Sequence, residues 1–215
     1  MVVREEDVII IPWDEEMYNR AVERARLKQK WLDTWKKRSE EERFQNFLDG
    51  QLGEEGFRKF LEKEGIKYEY YDDIRTDDFK EKDKFDFKVF DANGKEIEVN
   101  VKSSKLKKTI VDTVDQNNIL AYPSEVKPIN TQPFIDYKNK NTILTGWANE
   151  EEMLASPPKA LPGDYSDEPS ETHQKRIKDS RPLNTIKETL GLTKQPNSKI
   201  GLKRWLFWIS NFMPF

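Results

Sequence analysis

The chain has no cysteine and a single histidine, His173. Without cysteine there are no disulfides, thiolate zinc sites or cysteine nucleophiles, and one histidine cannot assemble a His-rich metal site or most histidine-based acid–base schemes. Any metal must be held by oxygen ligands, which points to magnesium or manganese. Long apolar runs are missing too: none reaches the roughly 18 residues of a membrane-crossing helix. The first residues, "MVVREEDVII", lack the apolar core of a signal peptide. The expectation is a soluble, cytoplasmic protein of a prokaryote or phage. Nor is there an excess of positive charge. With 37 Lys and Arg against 40 Asp and Glu, the formal net charge is -3, so any binding to nucleic acid must come from local patches rather than bulk charge.

What is present is charge and amphipathic pattern. Charged residues make up 36% of the 215 positions, and abundant Lys and Glu without Cys suggest a thermophilic source. The length suits one substantial core. The expected division is a domain over 1–193, followed by a linker and apolar tail over 194–215. "DVIIIP" (7–12) reads as a strand. Asp14 then caps a long N-terminal helix whose inward stripe includes Met17, Ala21, Ala25, Leu32 and Trp35. Ser39 and Glu42 form a capping-box pattern opening a second helix that runs to about Glu64, offers Phe44, Phe47, Phe57, Phe60 and Leu61 to the core, and is bent or broken at Gly50 and Gly53.

Gly65 closes that helix before the strand "IKYEYY", and "DDIRTDDFKEKDK" (72–84) is a charged connection. Further strands are expected at 109–113, 132–137 and 142–147, then a short helix at "NEEEML" capped by Asn149. Residues 156–170 read as a surface loop or lid, and "LNTIKETLGL" (183–192) as a last core helix ending at Gly191. The fold class is α/β, a central mixed sheet flanked by helices.

Between these elements lie two alternating runs, "KFDFKVF" (84–90) and "KEIEVNVKSS" (95–104), joined by "DANG". They read as a β-hairpin. Phe85, Phe87 and Val89 must face the same core as Ile97, Val99 and Val101, and a two-residue Asn-Gly turn would defeat that match. A three-residue connection over Ala92, Asn93 and Gly94, with Gly94 left-handed, restores it. Asp86 then falls opposite Asn100, one pair from Lys102. A half-buried sheet with one solvated side would show the same alternation. Glu54 adds weight to the functional reading: it lies three and seven residues before Phe57 and Leu61, on the buried stripe of the preceding helix, where a carboxylate is costly unless paired or metal-bound. Glu55 points elsewhere and reads as surface.

A helix Glu, a strand Asp and an x-Lys, in that order, resemble the PD-(D/E)xK nuclease superfamily with its restriction-endonuclease-like fold. The resemblance runs from "LGEEGFRKFLEKEG" through "FDFKVFDANGKEIEVNVKSS" to "ILTGWANEEEM", about two-thirds of the chain. It implies a metal-dependent DNA endonuclease in which Glu54 and Asp86 bind Mg2+ or Mn2+ and Lys102 positions or activates the attacking water. Such a centre neutralises the charge that builds during phosphodiester hydrolysis. The Val101 carbonyl offers another oxygen ligand. Lys105, Lys107 and Lys108, with Lys102, offer phosphate contacts, or are a solvated lysine cluster.

Asn100 departs from that pattern, since the matching position normally carries Asp or Glu. An amide oxygen coordinates magnesium without bringing charge, so metal affinity and catalysis are expected to fall. Glu98, two residues earlier on the same face, either substitutes in part or is ordinary surface. A tolerated variant, an inactive homologue and an engineered change remain open. The alternative function is a non-catalytic nucleic-acid-binding or sliding-clamp-associated protein on a nuclease scaffold.

His173 reads as a surface residue in "SETHQKRIKD", where Lys175 and Arg176 form a second phosphate-contacting patch. Trp147 reads as core or strand-edge packing. The tail segment "KIGLKRWL" resembles a sliding-clamp-binding peptide through Leu202, Trp205 and Leu206, but with Lys199 where glutamine is usual. Packing on its own domain, self-association and a membrane-surface helix are the competing readings of that tail.

Overall fold

The computed structural model describes residues 2–31, 39–161 and 170–193. Leu32, Trp35 and the tail with Leu202, Trp205 and Leu206 lie outside them. Strand β1 (Ile9–Pro12) leads into helix α1 (Glu15–Trp31), whose first turn is capped by the Asp14 carboxylate accepting the Met17 N–H at 2.8 Å. Helix α2 (Glu40–Glu64) starts on the Ser39/Glu42 capping box and stops at Gly65, which is left-handed at φ 66°. The expected break at Gly50 and Gly53 does not occur. Gly53 has a packing reason instead: a Cβ there would meet the Ser103 side chain. After β2 (Tyr68–Tyr70) and the one-turn α3 (Tyr71–Ile74) come β3 (Phe87–Phe90), β4 (Glu96–Val101) and β5 (Ser104–Lys105).

Residues 109–113, expected as a strand, begin helix α4 (Ile110–Gln116). The Thr109 hydroxyl accepts the Asp112 N–H, and this cap overrides the β-branched composition. Strand β6 (Asn118–Ala121) follows, and β7 (Ile129–Thr131) and β8 (Phe134–Asp136) flank Gln132 and Pro133. The expected strand at 142–147 divides into β9 (Asn141–Leu144) and β10 (Gly146–Ala148), which enter different sheets. Asn149 caps α5 (Glu150–Leu154) as expected. The chain then runs through β11 (Lys159–Ala160), β12 (Glu171–Arg176), β13 (Arg181–Pro182) and α6 (Ile186–Thr189).

The result is a mixed α/β molecule. Its six-stranded sheet has the order β13-β10-β7-β4-β3-β2, antiparallel except where β4 runs parallel to β7. A four-stranded sheet, β1-β9-β8-β5, and a three-stranded one, β11-β12-β6, stand beside it. The hairpin register is the expected one, with Phe87 opposite Val99 and Val89 opposite Ile97, and Gly94 adopts φ 79°. Phe57, Phe60 and Leu61 of α2 are buried against Phe87, Val89, Val99 and Val101. Burying each contributes about 1.5–3 kcal/mol. Phe85 falls outside this core; half-buried ahead of β3, its ring packs edge-on to Tyr71. No helix among the described residues is long and apolar enough to cross a membrane.

Candidate active site

Asp86 stands one residue before β3, at the open end of the hairpin. Its Oδ2 accepts the Val101 N–H at 2.6 Å, and its carbonyl accepts the Tyr71 N–H at 3.1 Å, so one residue ties β4 to the start of α3. Burial pushes the Asp86 carboxyl above its usual range, and Lys102 is the strongest influence in the other direction. Burial works against the Lys102 ammonium as well, but Asp86 and then Glu125 outweigh it and hold that lysine above its ordinary value. The Lys102 Nζ lies 2.7 Å from the Glu125 Oε2.

Glu54 is buried on α2, its Oε2 accepting the Tyr70 hydroxyl at 2.6 Å and the Gln51 amide at 3.1 Å. Burial pushes its carboxyl up to about 8; Lys28 opposes this, and Asp72, Asp86 and Asp83 add to it. Of the residues named from the sequence, Asp86 thus interacts electrostatically with Lys102 and adds to the shift of Glu54. The Asp86 Oδ1 and the Glu54 Oε1 carry no hydrogen bond among the described residues. Two carboxyl groups whose ionisation is resisted mainly by burial would gain from a hard divalent cation.

Asn100 belongs to a different surrounding. Val99 and Val101 face α2, so the residue between them points to the far side of β4. There the amide is buried, 3.5 Å from the Asn130 Oδ1 on β7. Asn130 is anchored in turn by the Lys127 N–H and by the carbonyls of Lys127 and Ala148. Glu98 on that side is half-buried and ion-paired with Lys127.

In the charged connection of 72–84, Asp72 and Asp83 turn inward. Asp72 and Asp83 are bridged twice: the Arg75 Nη1 meets their Oδ1 atoms at 3.0 and 2.6 Å, and the Lys28 Nζ meets their Oδ2 atoms at 3.0 and 2.7 Å. Lys28 comes from α1 and is buried. Burial disfavours its charge, but Glu54, Asp72 and Asp83 overcome this and hold its pKa above that of a free lysine. Among the described residues no three His, Asp or Glu side chains form a ready metal cage. Glu55 is also corrected: it is fully buried and bound by Arg20 and Arg24 of α1, at 2.9 and 3.0 Å. Local sequence carries no signal for these α1 partners, though the Gln51/Glu54 spacing of three on a helix does point to their contact.

Lys105, Lys107 and Lys108 line a cavity of about 500 Å³ between β5 and β6. It shares Ser103, Ser104 and Leu120 with a second cavity, of about 290 Å³, that includes Lys102 and Tyr122. The two form one groove leading from Lys102. Strand β12 places Arg176 opposite Asn118 and Lys175 opposite Ile119, which puts the second basic patch next to β6. His173, expected at the surface, is buried on β12 with its Nδ1 3.0 Å from the Ser156 carbonyl. Trp147 is buried in the core. No protein-family model, curated protein or solved structure matches the chain.

Proposed function

We propose that this protein is a metal-dependent DNA endonuclease with a restriction-endonuclease-like arrangement of its central sheet. The observation that carries the reading is that Asp86 and Lys102 act on each other electrostatically, with Lys102 at the head of a lysine-lined groove and Asp86 among the carboxylates that raise the buried Glu54. Asp86 and Glu54 would hold Mg2+ or Mn2+, with the Val101 carbonyl as a further oxygen. The cation supplies Lewis-acid stabilisation of the charge that develops at phosphorus. Lys102 would orient the attacking water and neutralise the same charge. Lys105, Lys107 and Lys108 hold the flanking phosphates, with Lys175 and Arg176 beyond β6.

A second reading, a nucleic-acid-binding protein on the same scaffold that does not cleave, draws on Asn100. Its neutral amide is buried against Asn130, and it adds no negative charge to the centre. Plasmid, single-stranded and branched DNA, incubated with Mg2+ or Mn2+, separate the two readings. Cleavage that disappears in Lys102→Ala supports the endonuclease. No cleavage by the native chain or by Asn100→Asp, with no change on Lys102→Ala, sinks the enzymatic reading.

A further inference from the structure

We infer that the groove between β5 and β6 receives an unpaired DNA strand, its bases turned into the cavity and its phosphates on the lysines at the rim. This rests on the DNA reading of the neighbouring centre and narrows its substrate. The lining is of two kinds. Lys105, Lys107 and Lys108 are exposed cations, whereas Leu120 and Phe134 give an apolar surface and Asn46 and Asn117 bring side-chain amides. Those two amides make no hydrogen bond among the described residues. The carboxylate in the lining, Asp49, is already engaged: its Oδ1 accepts the Gln45 amide at 3.0 Å and also the Tyr137 hydroxyl.

A duplex presents its phosphates outward and keeps its base faces stacked inside. It would touch the lysines and leave the apolar wall and the free amides facing water. A single strand can turn each base inward, offering a flat apolar face to Leu120 and its hydrogen-bonding edge to the amides. The groove also has an aromatic continuation. The Lys105 Nζ lies over the Tyr137 ring, 6.0 Å from its centroid. Tyr137 meets Trp13 edge-on at 5.4 Å, and Trp13 stacks on Tyr18 at 6.0 Å. Tyr18 and Tyr137 are 40% and 37% exposed, and the three rings line a further cavity of about 440 Å³. Cations followed by exposed rings are what a strand needs to track its backbone and stack its next base.

Fluorescence anisotropy in EDTA tests this with labelled oligothymidylate and a blunt duplex of equal length. The single strand is expected to bind at least about tenfold more tightly. Tyr18→Ala should weaken it by about 5- to 150-fold, the range given by loss of stacking for one base. Lys107→Glu, at an exposed position, should weaken it and flatten its salt dependence. Equal or tighter duplex binding overturns the inference. So does a single-strand preference unchanged in both variants, or competition by inorganic polyphosphate as strong as by oligothymidylate, because phosphates alone would then account for binding. The assay contains no divalent ion, so failure to hydrolyse DNA would leave this result intact and count only against the endonuclease.

Discussion

Lys28 and Asp72 face one another at 3.0 Å, both buried, although one comes from the N-terminal helix and the other from the turn after β2. Removing Lys28 leaves Asp72 and Asp83 to share Arg75 alone, and breaking a buried pair costs about 3–5 kcal/mol. Lys28→Met should therefore lose that much stability in urea unfolding. Part of it should return with millimolar Mn2+, because Asp72 and Asp83 already direct their Oδ2 atoms to one point. A variant as stable as the native chain without divalent ions would contradict this.

Asp86→Asn keeps the shape of the side chain and removes the charge facing Lys102. On the endonuclease reading, cleavage should fall by about 10²–10³-fold, as when one electrostatic contact to a transition state is lost. Thermal unfolding should shift little, since the asparagine side-chain oxygen can still accept the Val101 N–H. A large fall in melting temperature with unchanged cleavage would assign Asp86 to the fold alone.

Stability should decline with pH in metal-free solution. An unfolded glutamate loses its proton near 4.5, whereas folded Glu54 keeps it until about 8. Between these values the folded chain holds the extra proton, so the contribution is complete below 4.5 and is lost as the pH rises through 8. Urea titrations in EDTA across that window should show the decline, and Glu54→Gln should flatten it. An identical slope in the variant would place the titration elsewhere.

Two glycines one turn apart on α2 should respond oppositely to alanine. At Gly53 the new Cβ would lie 1.8 Å from the Ser103 Oγ and 2.9 Å from its Cβ. Overpacking of this kind costs about 1–3 kcal/mol, and it would push α2 from the segment that carries Lys102. At Gly50 nothing lies within 4 Å, so alanine should stabilise the helix by about 0.5–1 kcal/mol. Chemical denaturation of the two variants checks both signs.

The hairpin was legible because a period of two, the need to keep Phe87 and Val99 on one face, and a glycine able to take φ 79° allow one register. Both ends of α2 were legible from Ser39, Glu42 and Gly65 for similarly local reasons. The errors arose where distant partners decide. Glu54 was recognised as buried from its helical spacing, yet the adjacent Glu55 is more deeply buried because Arg20 and Arg24 arrive from another helix. Asp72 and Asp83 read only as part of a charged connection until Lys28 and Arg75 are set between them. Strand β12 was missed because "ETHQKR" has no apolar alternation; its place comes from pairing with β6. Residues 109–113 read as β-branched strand because the propensity was weighed and the Thr109 cap was not.

The cations that α1 contributes also say what the smallest viable version of this protein is. Arg20, Arg24 and Lys28, spaced four apart along one helix, neutralise Glu55, Asp73 and Asp72 of the following segments. A shortened chain beginning at Ser39 would keep every strand of the hairpin and every residue of the proposed centre. It would still inherit Glu55, Asp73 and Asp72, with only Arg58 and Arg75 left beside them. The N-terminal helix is thus a built-in electrolyte for the sheet, and detaching it would act on the proposed centre as surely as a substitution inside it.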